Sequence, residues 1–158
     1  MAVLLTASTA RADGAACDAV FAAMGKMAGT PNHQFITTTR GGGKTTQGEV
    51  VTVGNKRGVF AAGHWHSRPY DAATESRDLL AARTGKEACT RVRSEAVNGE
   101  AAMLFSVHNP TEDGTSDSQT WVSTSRGLPL RQVIDISEGK THIEVRVDYT
   151  HVTAPPAS

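Results

Sequence analysis

The stretch QTWVSTSRGLPLRQV, residues 119–133, decides the fold, because it holds two strands and the corner that joins them. Its first half sets a single large ring, Trp121, among Ser and Thr residues, which is typical of a strand with one apolar face. Ser-Arg-Gly at residues 125–127 predicts a turn. Pro129 then begins a second strand, where its missing N–H is best tolerated. We therefore interpret Gly-Leu-Pro as a corner of a sheet and not as a binding loop.

Short strands joined by tight turns account for most of the remaining chain. Residues 141–149 alternate apolar and polar side chains with a period of two, which predicts a strand with one wet face. Residues 33–66 contain four short strand-like runs separated by glycine turns. Asn98-Gly99 is the strongest hairpin signal, because a type I′ turn needs positive φ at both central positions. By contrast, residues 109–118, NPTEDGTSDS, are interpreted as a polar loop.

Two segments show helical spacing instead. Residues 18–28 place apolar side chains on one helix face, and Gly29 with Pro31 ends that pattern. Residues 69–83 predict a second helix that ends before Gly85. The predicted fold class is therefore α+β, an antiparallel sheet of about eight or nine strands packed on one or two helices.

Composition excludes several classes of function. The chain has 158 residues, which suits one domain, and its 16 basic and 16 acidic side chains leave a net charge of zero. A nucleic-acid partner is not expected, because binding phosphates requires a basic face. No apolar run approaches the roughly 20 residues of a transmembrane helix.

The N-terminal residues carry an export pattern. A short apolar stretch at residues 2–7 leads to Ala10-Arg11-Ala12, which has the small residues of a signal-peptidase site. Residues 1–12 are therefore interpreted as the remnant of a signal peptide that lacks its basic start, and residues 13–158 as one mature domain. This predicts a periplasmic or secreted protein. A frayed cytosolic tail and a lipid anchor on Cys17 are the alternatives.

The chain has two cysteines, Cys17 and Cys89. An even pair in an exported domain predicts a disulfide. Two buried free thiols become the expectation if the protein stays in the cytosol.

The C-terminal third resembles a known family. Trp121, the sequence Leu-Pro-Leu-Arg at residues 128–131, Tyr149 and the final Ala-Pro at residues 154–155 resemble the LolA-type periplasmic carriers and their lipoprotein relatives. This resemblance implies a strongly curved sheet, a half-barrel, that wraps over helices. It also implies an apolar cavity that takes lipid or acyl chains.

The predicted function is that of an exported, non-enzymatic protein that binds an apolar or amphipathic ligand between sheet and helices. No catalytic triad, Cys/His pair or carboxylate pair stands out, and no cofactor is implied. The predicted ligand-facing residues are Phe35, Met103, Phe105, Trp121, Ile134, Ile143 and Val145. The alternative is that the same side chains form a filled core.

Two further hypotheses remain open at this point. His64 and His66 share one strand face and would begin a metal site, with His33, Asp71 or Glu75 as further ligands. Histidines at this spacing are more often two exposed residues of an edge strand than metal ligands. Tight metal binding is therefore not predicted. An envelope interaction module without a pocket is the third hypothesis.

A basic row on one sheet face is also conceivable from the spacing of Arg91, Arg93 and Arg131. Such a row would meet anionic headgroups. An ordinary solvated face is the commoner explanation at zero net charge.

Overall fold

The computed structural model describes residues 14–157. The predicted signal-peptide remnant, residues 1–12, lies outside the described residues. The elements in chain order are α1 (Gly14–Ala28), β1 (Asn32–Arg40), β2 (Lys44–Val53), β3 (Lys56–Ala61), β4 (His64–Pro69), α2 (Ala72–Ala81), β5 (Ala88–Val97), β6 (Glu100–Thr111), β7 (Gly114–Ser123), β8 (Pro129–Ile136), a 3₁₀ turn (Glu138–Lys140) and β9 (Thr141–Asp148).

The strands form one antiparallel sheet of nine, in the order β4-β3-β2-β1-β9-β8-β7-β6-β5. Consecutive strands are hairpin neighbours, except that α2 carries the chain from one edge strand to the other and β9 returns to pair with β1. The predicted α+β class is confirmed, with a curved, open half-barrel sheet and two α-helices. Neither α-helix of the described chain is long and apolar enough to span a membrane.

The two faces of the sheet have different surroundings. The helix-bearing face carries Cys89, Phe105 and Val107, which pack with Val20 and its neighbours on α1. The opposite face, called the open face below, carries a second cluster of Ala102, Leu104, Trp121 and Leu130. Because side chains directly across a ladder share a face, the register assigns other residues to one face or the other.

A disulfide fastens α1 to the edge of the sheet. Cys17 is bonded to Cys89 of β5, with their Cα atoms 5.1 Å apart. The predicted disulfide is confirmed, and the bonded Sγ of Cys17 is not free to carry a lipid anchor. The helix begins at Gly14, four residues before the predicted start at Asp18, and this extra turn holds Cys17.

The second helix is shorter than predicted and packs on α1. Asp71 caps its N-terminus by accepting a hydrogen bond of 2.6 Å from the Thr74 N–H. Just before α2, the Tyr70 hydroxyl donates to the Ala28 carbonyl of α1 at 2.8 Å. Within α2, the Ser76 hydroxyl donates to the Gly25 carbonyl of α1 at 3.0 Å. Residue 69 is therefore the last residue of β4, and residue 70 links the end of that strand to α1, so neither belongs to the helix.

The Gly-Leu-Pro segment is a corner, as predicted. Gly127 has φ 64°, a left-handed conformation that glycine adopts without strain. The Ser123 N–H donates to the Leu128 carbonyl at 2.8 Å, and Pro129 begins β8. Arg126 at the corner holds both carboxylate oxygens of Glu100, at 2.8 and 2.6 Å.

The prediction of a polar loop at residues 109–118 is wrong. β6 continues to Thr111 and pairs directly with Gly114 at the start of β7, so the two strands form a tight hairpin. These strand ends are largely exposed. Their polar composition is therefore that of a solvated ladder, which alternation of apolar residues does not reveal.

Candidate ligand-binding cavity on the open face

A cavity of about 740 Å³ lies on the open face. Ligand sites of small molecules in proteins have volumes of about 300–1,000 Å³. Six strands contribute to this open-face cavity. Its lining residues are Phe35, Ile36, Thr37, Gln47, Gly48, Glu49, Glu95, Ala96, Val97, Asn98, Trp121, Arg131, Glu144, Val145 and Arg146.

Curvature of the sheet creates this cavity. Gln47 on β2 and Val97 on β5 both line it, although five strands lie between β2 and β5 in the sheet. In a flat sheet these two strands would lie roughly 29 Å apart, at about 4.8 Å per strand. Side chains from both can border one cavity only because the sheet bends toward its open face.

Two arginines lie on aromatic rings inside the cavity. Trp121, Arg131, Arg146 and Phe35 are successive cross-strand partners on β7, β8, β9 and β1. The Arg131 guanidinium lies 4.8 Å from the Trp121 ring centre, and the Arg146 guanidinium lies 4.7 Å from the Phe35 ring centre. Each pair is a cation–π contact, which holds the guanidinium against the wall of the cavity.

The two guanidiniums are unequally neutralised. Arg131 lies 3.7 Å from a carboxylate oxygen of Glu144, and both side chains are partly exposed. Arg146 has its stacking contact with Phe35, but no carboxylate of residues 14–157 lies within 4.0 Å of it. Like charges directly opposite on neighbouring strands destabilise a sheet, and the Arg131–Arg146 pair has this arrangement.

The carboxylates that line the cavity already have partners. Glu95 accepts hydrogen bonds from the Trp121 indole and from Arg93. These bonds lower the pKa of the Glu95 carboxyl below its ordinary value, and the bond from the indole has the larger effect. Glu49 lies 2.7 Å from a ring nitrogen of His33, and Glu144 lies 3.3 Å from one of His142. Each of these carboxylates therefore has a local hydrogen-bond partner.

A second cavity of about 410 Å³ adjoins the first along the open face. The two cavities share Phe35, Val97, Asn98 and Arg146 in their linings. The second extends toward Tyr149, whose buried hydroxyl donates to the Pro129 carbonyl at 2.6 Å and whose pKa is raised by that burial. The two cavities are therefore adjacent on the open face.

The predicted ligand-facing residues divide between the two faces. Phe35 and Trp121 line the open-face cavity, and Val145 borders it although the register places its side chain on the helix-bearing face. Met103 and Phe105 pack in the cluster beneath α1. Ile134 and Ile143 are cross-strand partners on the helix-bearing face and lie outside the cavity lining.

The cavity between the sheet and the helices is smaller than the open-face cavity. Its volume is about 230 Å³, and its lining includes Met24, Met27 and Leu79 of the helices together with Arg57 and Arg68 of the sheet. The open-face cavity therefore has about three times the volume of the cavity beneath the helices.

Arg91, Arg93 and Arg131, the members of the hypothetical basic row, do not share one face of the sheet. Arg91 pairs across from Phe105 on the helix-bearing face, whereas Arg93 pairs across from Leu104 on the open face. A β-bulge between Arg91 and Arg93 breaks the alternation that the sequence spacing assumed. The basic residue that lies beside Arg131 is Arg146 of β9. The alternation of residues 141–149 places Arg146 on a polar face but does not show which residue lies opposite it.

The histidines of the metal hypothesis lie apart from further ligands. His64 and His66 are exposed on β4, an edge strand. Of the suggested additional ligands, His33 contacts Glu49, Asp71 caps α2, and Glu75 pairs with Arg57 at 3.1 Å. Within residues 14–157, no three His, Cys, Asp or Glu side chains are grouped so that they could hold a metal ion.

Comparison with known proteins identifies the fold. No protein-family model and no curated protein sequence matches the chain. Among solved structures, the Mycobacterium tuberculosis lipoprotein LppX matches with a TM-score of 0.58 at 11% identity, over 90% of this chain and 99% of that one. LprF from Mycobacterium bovis matches with a TM-score of 0.50 at 13% identity, over 92% and 98%.

The MucA/MucB complex of Pseudomonas aeruginosa matches with a TM-score of 0.54 at 13% identity, over 89% of this chain but 59% of that one. The chain has a LolA-like fold. The prediction made from the C-terminal third is thus confirmed at the level of the fold, which at these identities is what the likeness shows.

Proposed function

We propose that this LolA-like protein is an exported, non-enzymatic binding protein that takes an amphipathic ligand, such as a lipid or a free acyl chain, in the open-face cavity. The observation that carries the proposal is the cavity itself, which joins an apolar wall to a charged row. Phe35, Val97 and Trp121 supply the apolar surface, and Arg131 and Arg146 supply the polar surface. A ligand with one apolar and one polar part would satisfy both.

Three observations support this function over a filled core. Phe35 and Val97 are only partly buried, so they retain apolar surface for a ligand. The adjoining cavity extends the open-face cavity toward Tyr149, which gives a longer ligand room on the same face. Trp121 is anchored by Arg131 and Glu95, so its ring is held in place before any ligand arrives.

Export is part of the proposal. Cys17 and Cys89 form a disulfide, and disulfides form and persist mainly in oxidising compartments. The pattern at residues 1–12 is that of a signal peptide. LppX, which shares the fold, is a lipoprotein. These features favour a periplasmic or secreted location.

Fluorescence quenching by a brominated fatty acid tests the proposal, because the chain has only two tryptophans. In the Trp65→Phe variant, Trp121 in the cavity is the sole emitter. In the matched Trp121→Phe variant, the sole emitter is Trp65, which does not line the cavity. Dibromostearate should quench the first variant saturably and leave the second almost unchanged.

Equal quenching of both variants, or none of either, would contradict the proposed cavity. Native mass spectrometry of the gently purified protein provides an independent readout. An adduct of lipid mass supports the function, whereas a bare chain that also fails to take up added dibromostearate argues for a module without a pocket.

A further inference from the structure

We propose that the ligand of the open-face cavity carries an oxyanion, a carboxylate or a phosphate, and that Arg131 and Arg146 bind it together. The inference rests on the proposed function and specifies its ligand class. It is carried by the direct cross-strand pairing of Arg131 with Arg146 inside the cavity.

The geometry of the pair suits one shared anion. Directly opposed residues of an antiparallel pair have Cβ atoms about 4.5–5.5 Å apart. The side chains of two arginines at such positions are long enough for both guanidiniums to turn toward one small anion. Each guanidinium has planar N–H groups that match the geometry of carboxylate or phosphate oxygens. One bound anion would also relieve the repulsion between the two arginines.

The stacking contacts support this role. Trp121 holds Arg131 from one side and Phe35 holds Arg146 from the other, so both guanidiniums are positioned without using their N–H groups. The same two rings form the apolar wall. A ligand whose anionic head lies between the arginines would therefore begin its apolar chain against Phe35 and Trp121.

The three cavity glutamates are each hydrogen-bonded to a residue other than Arg146. Glu49 and Glu95 are paired with His33 and with Arg93 and Trp121, respectively. Glu144 contacts His142 at 3.3 Å and Arg131 only at 3.7 Å. Arg146 therefore remains the charged group of the cavity with no oppositely charged partner among the described residues.

A series of twelve-carbon probes tests the inference by isothermal calorimetry. Dodecanoate, dodecyl phosphate, dodecanol and dodecyltrimethylammonium share one chain and differ in the head. The two anionic probes should bind wild type about tenfold or more tighter than dodecanol, since a charge-assisted hydrogen bond contributes on this scale. Added salt should reduce the difference.

Variants localise the effect. Arg146→Gln should weaken dodecanoate binding about tenfold more than it weakens dodecanol binding. Arg146→Lys should retain part of the preference. The control is Arg40→Gln, which removes the same charge from the exposed end of β1, outside the cavity lining, and should change nothing. Melting curves of each variant establish that it is folded.

The outcomes separate the inference from the proposed function. If wild type binds dodecanol as tightly as dodecanoate, the oxyanion inference is overturned while the binding function stands. If no probe binds, both fail. Preference for dodecyltrimethylammonium, or an Arg146→Gln variant that keeps the full anion preference, also overturns the inference. Inorganic phosphate binding as tightly as dodecyl phosphate would leave an anion site at the arginines but would contradict the proposed function, because the apolar chain would then contribute nothing.

Discussion

The Arg131 guanidinium lies 4.8 Å from the Trp121 ring centre, on the same face of neighbouring strands, while the Trp121 indole N–H donates to Glu95. The ring is therefore held by a cation on its face and by a carboxylate at its edge. Trp121 is 6% exposed and packs with Leu104 and Leu130. It is at once part of the core and part of the cavity wall.

Replacement of Trp121 by Ala tests this double role. We expect a loss of about 3 kcal/mol in the free energy of unfolding, at the low end for a large ring because one side already borders a cavity. Urea denaturation measures it. The matched Trp65→Ala variant, at a half-buried position on the edge strand, should lose less than half as much. Equal losses would mean that Trp121 is not a core residue.

Alternation within single strands predicted most of the fold. The period of two in β9 and the turn residues at Asn98-Gly99 and Gly127 are local signals, and each marks a real element boundary. The hairpin around residues 112–113 was missed because its strands carry polar side chains on both faces. Its pairing depends on contacts between strands, which composition does not encode.

The disulfide has a measurable contribution to stability. It joins positions 72 residues apart, and closing a loop of that length in the unfolded chain stabilises the fold by about 4 kcal/mol in the chain-entropy account. The Cys17→Ala/Cys89→Ala variant should therefore melt about 10 °C lower than the oxidised protein. Calorimetry checks this, and thiol titration of unreduced protein should find no free thiol. A melting temperature within 2 °C of wild type would refute the estimate.

Gly58 is required by a close approach of the C-terminal tail. A Cβ at position 58 would lie 2.2 Å from the Cβ of Pro155 and 3.2 Å from the Trp65 ring. We expect Gly58→Ala to cost about 1–3 kcal/mol of unfolding free energy and to expose the tail to proteolysis. In a chain truncated after Ala154, the same substitution should cost much less. An undiminished cost there would place the strain elsewhere.

The pair of His142 with Asp135 makes stability depend on pH. Hydrogen bonds to Asp135, at 2.6 Å, and then to Glu144 raise the pKa of His142 above its ordinary value of 6.5. A raised folded-state pKa means that the stabilisation is complete below about pH 6.5 and disappears as the pH rises through the folded-state pKa.

The His142–Asp135 pair should contribute less than about 1 kcal/mol to the free energy of unfolding, because both side chains are exposed and solvent screens their charges. Urea denaturation of wild type and His142→Gln should differ at pH 5.5 and converge by pH 9. Asp135→Asn should reduce the difference at low pH. A difference that grows with pH would have the wrong sign for this mechanism.

The candidate site was predicted only in part, for a geometric reason. Phe35 and Trp121 are among the residues that the sequence predicts to face a ligand, and both line the cavity. Arg146 was not selected, because alternation in β9 assigns it to a wet face without showing which residues lie opposite. The residue opposite Arg146 is Arg131, and the register between β8 and β9 determines this pairing. Likewise, Ile134 and Ile143 could not be separated from Phe35 without knowing which face the helices cover.

A crystal structure of the protein with dibromostearate, solved with anomalous data at the bromine edge, tests the central claim most directly. The account predicts bromine peaks in the open-face cavity, beside Phe35 and Trp121, with the carboxylate between Arg131 and Arg146. Bromine peaks between the sheet and the helices, beside Met24 and Met27, would contradict it.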